Sequence, residues 1–176
     1  MHRIVLKFGL IAAAICSALM VITLPLLDRI GFENGALLGY SGMVLAFLMV
    51  FVGVKSYRDT VAGGTITFGQ AFKVGGLIAL IGIAGYVLTW EIIYFGFAPD
   101  FADKYATFAI EQARQSGATD AQLAAITKEM AEFAVSYRNP LTNVAFTFLE
   151  PLPVALLSTL VSAAVLRRHP TTPATA

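Results

Sequence analysis

The sequence predicts an all-α membrane protein, with four transmembrane helices and an extracytoplasmic helical hairpin between helices three and four. Three observations predict it. Of 176 residues, 57% are hydrophobic and 13% charged, where soluble domains carry about 25% charged residues. The apolar residues gather into four runs, each near the roughly 20 helical residues that cross about 30 Å of hydrocarbon. A long acidic stretch between the third and fourth runs keeps its apolar residues at helical spacing.

The first span covers about 4–26 and ends at Pro25 and the charged pair Asp28 and Arg29. Its apolar run extends to Leu27, beyond a signal-peptide core of roughly 7–15 residues, so it reads as an uncleaved helix. Cys16, the single cysteine, lies inside it. One cysteine excludes an internal disulfide and a thiolate metal cluster, and Cys16 reads as a small packing residue. The second span covers about 36–54 and ends at "KSYRD". Gly63-Gly64 then makes a turn, and Thr67 with Gln70 has capping-box spacing, which starts helix three at Thr67. The apolar part of that helix covers about 71–97, and the fourth span about 143–166. All four belong to one domain, 1–169, followed by a tail, 170–176, that reads as disordered. Helices are the sensible spanning element here because each satisfies its own backbone in lipid.

Charge orients the bundle. Arg3, Lys7, Lys55, Arg58, Lys73, Arg167 and Arg168 flank one side, with Asp59 their only acid. The other side carries eight acids, most of them in the loop 99–140, and its basic residues are dispersed. The positive-inside rule therefore places both termini and the 55–70 loop in the cytoplasm of a multi-pass protein. In the outer loop, Phe101, Tyr105 and Phe108 share a helical face, and Gly117 can end that helix in the left-handed conformation. Thr119, with Gln122 three residues on, caps a second helix. Its stripe of Leu123, Ile126, Met130, Phe133 and Tyr137 must bury against something. A cap folded on its own bundle or lying among headgroups is the leading reading, and a docking face for a protein the alternative.

In lipid, helices associate through close packing of small residues. Such rows occur at four-residue spacing on every span: Gly9, Ala13 and Ser17; Gly42 and Ala46; Gly75 and Ala79; Ala155, Thr159 and Ala163. They favour a tight bundle, without distinguishing contacts within the chain from contacts with a second copy.

The fourth span contains an acid and two helix breakers, "TFLEPLPVALL". Counting back from Leu166 puts Glu150 only about one turn inside the hydrocarbon, and Glu91 near the same boundary on helix three. Neither acid then bears the roughly 2.5–3.5 kcal/mol assigned to a charge at the helix centre. The two carboxylates could face each other, with Arg29, Arg138 and Tyr94 nearby. Pro151 and Pro153 withdraw donors from the carbonyls of Thr147 and Leu149. Either the helix kinks, or a new helix starts at Pro151 with Glu150 at its positive end. The second reading, a structural break, is preferred; an ion or proton path through Glu91 and Glu150 is the alternative. No repeat relates the two halves.

Catalytic chemistry has little to draw on. The only histidines, His2 and His169, sit at the two ends, and Ser158 and Ser162 have no visible base. There is no HExxH, GxSxG or phosphate-loop motif. Trp90 and Tyr94 read as aromatic-belt anchors. No enzyme activity, cofactor or metal is expected, and the balanced charge offers nothing to nucleic acid.

The stretch "GVKSYRDTVAGGTITFGQAFKVG" resembles the bacterial "domain of unknown function 4199" family of small integral membrane proteins. So do "GFAPDF", the acidic loop after it, "RNP", and "TFLEPLPVALLSTLVSAAVLRR", over about residues 3–168. The resemblance implies a four-span bundle in the bacterial cell (inner) membrane, and carries no residue roles. It draws attention to the loop Tyr57, Arg58 and Asp59. A tight turn in which Arg58 meets headgroups and Asp59 pairs with it is the leading reading, and a docking point for a cytoplasmic protein the other. Function reads as a non-enzymatic accessory or scaffold unit, with a small transporter as the alternative. Expected partners are membrane lipids, with a membrane or cytoplasmic protein, or a second copy, beyond them.

Overall fold

A computed structural model describes residues 1–168; the tail expected from 170 onward, and His169, lie outside the described residues. The described residues are mostly helical: α1 (His2–Thr23), a 3₁₀ turn (Leu24–Leu26), α2 (Leu27–Thr60), α3 (Phe68–Gly96), α4 (Phe101–Gln115), α5 (Asp120–Tyr137), α6 (Pro140–Leu149) and α7 (Leu152–Leu166). Four segments are long and apolar enough to cross a membrane: His2–Leu26, Arg29–Thr60, Phe68–Gly96 and Pro140–Leu166. They coincide with the four expected spans, though the second is longer than 36–54. Its C-terminal end runs through "KSYRDT" as helix instead of stopping there. Its N-terminal end is offset at Gly31, whose φ of 78° and ψ of 163° interrupt the helix. A side chain there would be strained, so glycine lets the chain turn sharply out of α1 and into α2.

Both expected capping boxes form. The Gln70 amide N–H donates to Thr67 Oγ1 while the Thr67 N–H donates to Gln70 Oε1, each at 3.3 Å. The equivalent bonds at Thr119 and Gln122 are 2.8 and 3.4 Å. Gly117 takes the left-handed conformation, φ 82°, between α4 and α5.

Contacts between the spans fix an alternating up-and-down order. Helix α3 is central and touches α1, α2, α6 and α7. Against α1 it runs parallel, with small residues matched step for step. A Cβ on Gly9 would lie 2.7 Å from the Ile81 Cβ. One on Gly85 would run into the Ala13 Cβ and come within 3.2 Å of its Cα. One turn further, Ser17 Oγ and Thr89 Oγ1 share a hydrogen bond of 2.7 Å. Against α2 and α7 it runs antiparallel: Gly75 lies beside Val50, Val54 and Thr159, and Gly82 beside Phe47. The small-residue rows of all four spans therefore serve contacts within one chain. Phe47, Val50, Val54, Val74, Ile78, Ile83 and Ala163 close the centre.

Helices α4 and α5 pack on one another and on the end of the bundle away from Arg168. Phe32 of α2 stacks among Phe101, Tyr105 and Phe108, with ring centroids 5.6, 5.8 and 5.1 Å away. The C-terminal part of the α5 stripe is covered, where Phe133 meets Tyr105 at 5.9 Å and Tyr137 meets Tyr94 at 5.3 Å, and Leu123, Ile126 and Met130 are half-buried. Trp90 and Tyr94, expected as lipid-facing anchors, are instead buried beneath these helices. The reason is the polar handle of the indole: Trp90 Nε1 donates to Tyr137 Oη at 3.0 Å, a partner the α5 stripe brings inward.

The α1–α3 contact leaves no room at Gly85 and ample room at Gly76, where an added Cβ meets nothing within 4 Å. Gly85→Val is expected to cost about 1–3 kcal/mol through overpacking, read as a lowered unfolding midpoint in detergent. Gly76→Ala should leave that midpoint unchanged or raise it.

Candidate functional site

The break in the fourth span is a break in hydrogen bonding, with little change of backbone direction. Glu150 (φ −59°, ψ −54°) and Pro151 (φ −79°, ψ −11°) both keep helical dihedrals between α6 and α7. The two readings of the prolines thus merge. Helix α7 starts with Pro153 in its first turn, where a missing N–H costs nothing, yet its axis continues from α6 without an extended residue between. The α6 side is fixed by buried polar groups. Asn143 Nδ2 donates to the Tyr137 carbonyl at 3.2 Å, and Thr147 Oγ1 to Asn143 Oδ1 at 3.2 Å. Burial raises the Tyr137 phenol above its ordinary value, so it stays protonated beside Trp90.

This arrangement aims Glu150 at α3, where Tyr86 Oη donates to Glu150 Oε2 at 2.7 Å. Both side chains border a cavity of ≈ 190 Å³. It lies where α1 gives way to the 3₁₀ turn and α2 departs at Gly31. Cys16 and Met20 contribute from α1, Phe32, Gly35, Gly39 and Met43 from α2, Tyr86 and Trp90 from α3, and Phe101 from α4. The walls are apolar apart from Tyr86, Glu150 and Thr23. Glu150 lines this chamber and is an exposed residue, outside the sealed core.

Glu91 is elsewhere. Five residues beyond Tyr86 on a helix of about 3.6 residues per turn, it points roughly 140° away and does not line the chamber. Its Oε1 is buried with no hydrogen-bond partner among the described residues, as is Tyr94 Oη. The structure does not bring Glu91 and Glu150 together. Arg138 is engaged with Asp103, at 3.0 and 3.1 Å, and neither Arg29 nor Tyr94 is among the partners of Glu150.

Of the expected loop Tyr57, Arg58 and Asp59, which forms the end of α2, the first two turn inward and Asp59 stays exposed. Tyr57 packs on the core. Arg58, 8% exposed, donates from Nε to Asp59 Oδ1 at 2.7 Å and from Nη1 to the Leu166 carbonyl at 3.5 Å. Beside it Ile66 and Arg168 exchange backbone hydrogen bonds of 3.1 and 2.9 Å. The pairing of Asp59 with Arg58 is as expected. Arg58, however, faces the last turn of α7 instead of headgroups, because that turn has open carbonyls and a cation there also meets the negative end of the helix.

Sequence reasoning missed Tyr86 and Phe32. A tyrosine in the middle of an apolar span needs a partner for its hydroxyl, and that need was the available signal for Tyr86. Phe32 offered none, since its role depends on the Gly31 turn. Ser162 Oγ donates to the Ser158 carbonyl at 2.6 Å. Among the described residues no three His, Cys, Asp or Glu side chains gather as metal ligands.

Arg58→Ala should cost about 1–3 kcal/mol, because the Leu166 carbonyl loses its donor where the span ends. Asp59→Asn, at an exposed carboxylate, should shift stability by less than about 1 kcal/mol. Thermal unfolding in one detergent compares the two, and equal effects would mean that Arg58 acts only through Asp59.

No curated protein and no solved structure matches the chain. A family model described as a protein of unknown function (DUF4199) matches residues 7–168. With nearly its whole length covered, the chain belongs to that family.

Proposed function

We propose that this chain is a non-enzymatic, multi-pass accessory or scaffold unit of the bacterial cell (inner) membrane. In this reading both termini are cytoplasmic, and α4 and α5 form an outer helical hairpin over the bundle. The observation that carries it is the closed half of the bundle nearest Arg168. Val50, Val54 and Ile78 are fully buried there, and Gly75 is held between Val50, Val54 and Thr159. Close-packed side chains offer an ion no hydrated route, which supports a unit acting through what it holds and displays. The displayed surfaces are the charged faces of α4 and α5 and the exposed Asp59. Orientation rests on the basic residues near the α2–α3 loop and the chain ends.

Transport remains the second reading, favoured by one observation, an exposed Glu150 that borders a chamber. Reconstituted in liposomes, the protein is expected to give background ion flux, unaltered by Glu150→Gln combined with Glu91→Gln. Extracted with its surrounding lipids, it should travel in a stoichiometric complex with a membrane or cytoplasmic protein. A lone chain with carboxylate-dependent flux would reverse the assignment.

Orientation has its own test in a Cys16→Ser background. Ser116→Cys, in the α4–α5 turn, should react in intact cells with a thiol reagent that cannot cross membranes. Thr60→Cys should react only after permeabilisation. Both side chains are exposed, so the opposite pattern would invert the topology.

A further inference from the structure

We propose that the chamber beside Glu150 is a binding site for a small organic cation carrying an aromatic or alkyl body. This goes beyond the accessory reading and does not depend on it. Three features converge. First, Glu150 presents a carboxylate along the cavity, and its one hydrogen-bond partner among the described residues is the Tyr86 phenol. The ion pairs of the described residues leave it without a lysine or arginine. A carboxylate near the edge of a membrane, with no cation beside it, favours a ligand that brings one.

Second, part of the chamber wall is aromatic. Trp90 and Phe101 meet edge to face at 4.7 Å, and Phe101 meets Phe32 at 5.6 Å. With Tyr86 they give the chamber four rings, whose π-faces attract ammonium groups within about 6 Å. Third, the space suits an organic ion. A volume of ≈ 190 Å³ exceeds the roughly 150 Å³ cavity that accepts benzene. A hydrated metal ion is a poor occupant, because calcium asks for about 6–8 oxygen ligands and the polar groups here are few. The apolar remainder of the lining, Met20 and Met43 among it, adapts to a varied hydrophobic body.

The chain supplies its own reporter, since Trp90 is its only tryptophan and lines the chamber. The full chain in lipid nanodiscs is titrated with benzyltrimethylammonium while Trp90 emission is followed. Saturable quenching is expected. Affinity should fall at least tenfold in Glu150→Gln, and at least tenfold for the uncharged isostere neopentylbenzene on the native chain. Gly39→Leu provides a second route, because Gly39 lines the cavity and a Cβ there meets nothing within 4 Å, which leaves the longer side chain room to occupy the space. It should abolish the quenching while the helical circular dichroism is retained. Non-saturable quenching, unchanged affinity in either variant, or equal binding of the uncharged isostere would each overturn the proposal.

Discussion

The structure depends on how closely α1 approaches α3. Lipid gives apolar helices no reason to leave it, so association rests on dispersion contacts and the occasional hydrogen bond. Both are short-ranged, and both need small residues in register. The chain meets this with two parallel rows at four-residue spacing, Gly9, Ala13 and Ser17 against Ile81, Gly85 and Thr89. Each step pairs a small residue with a neighbour that fills the space beside it, and the last adds a hydroxyl pair. Once α1 and α3 lie parallel, α2 must run back between their ends. Helix α7 then closes the remaining side of α3 through Gly75 and Thr159.

The chamber follows from where that approach ends. Past Ser17 and Thr89, α1 meets Pro25, the helix tightens into a 3₁₀ turn, and Gly31 swings the chain away. Met20 and Leu24 still pack against the Trp90 and Tyr94 cluster, and the space beside them is edged by Tyr86, Trp90 and the start of α4. The α6–α7 break borders the same chamber through Glu150. Two prolines without N–H groups weaken the helix there, and the residue before them turns its carboxylate to the Tyr86 hydroxyl. Three departures from regular helix thus adjoin one chamber: a 3₁₀ turn at Leu24, a positive-φ glycine before Phe32, and a proline pair after Glu150.

Much of this was legible in the sequence, for reasons that differ by element. The spans could be read because their apolar runs are long and end in charge. Both capping boxes could be read because Thr67–Gln70 and Thr119–Gln122 are local, decided within four residues. The small-residue row of Gly9, Ala13 and Ser17 was visible, but its partner was not, since a sequence does not say which helix faces which. For the same reason Glu91 and Glu150 looked like neighbours: depth along a span can be counted, whereas rotation about its axis depends on packing. Trp90 and Tyr94 misled in a related way. Their position near a boundary fits a lipid-facing belt, and only the cover provided by α4 and α5 makes them interior residues.

Arg58 shows what such a tertiary decision does to a charged side chain. In sequence it sits where headgroups would be, next to an acid, and both facts suit a surface. The end of α7 changes the balance, since its last carbonyls lack helical partners and the Arg58 guanidinium reaches one of them while keeping Asp59. A buried charge is tolerated when its donors are satisfied, and this one also joins the loop after α2 to the end of the last span. The Ile66–Arg168 backbone pairing tightens the same junction. That end of the bundle is therefore tied by polar bonds and filled by Val54, Ile66 and Leu166. The far end holds a chamber with an unpaired carboxylate. In the proposed reading a ligand would occupy the chamber alone, and passage beyond it would require the Gly75 contacts to part.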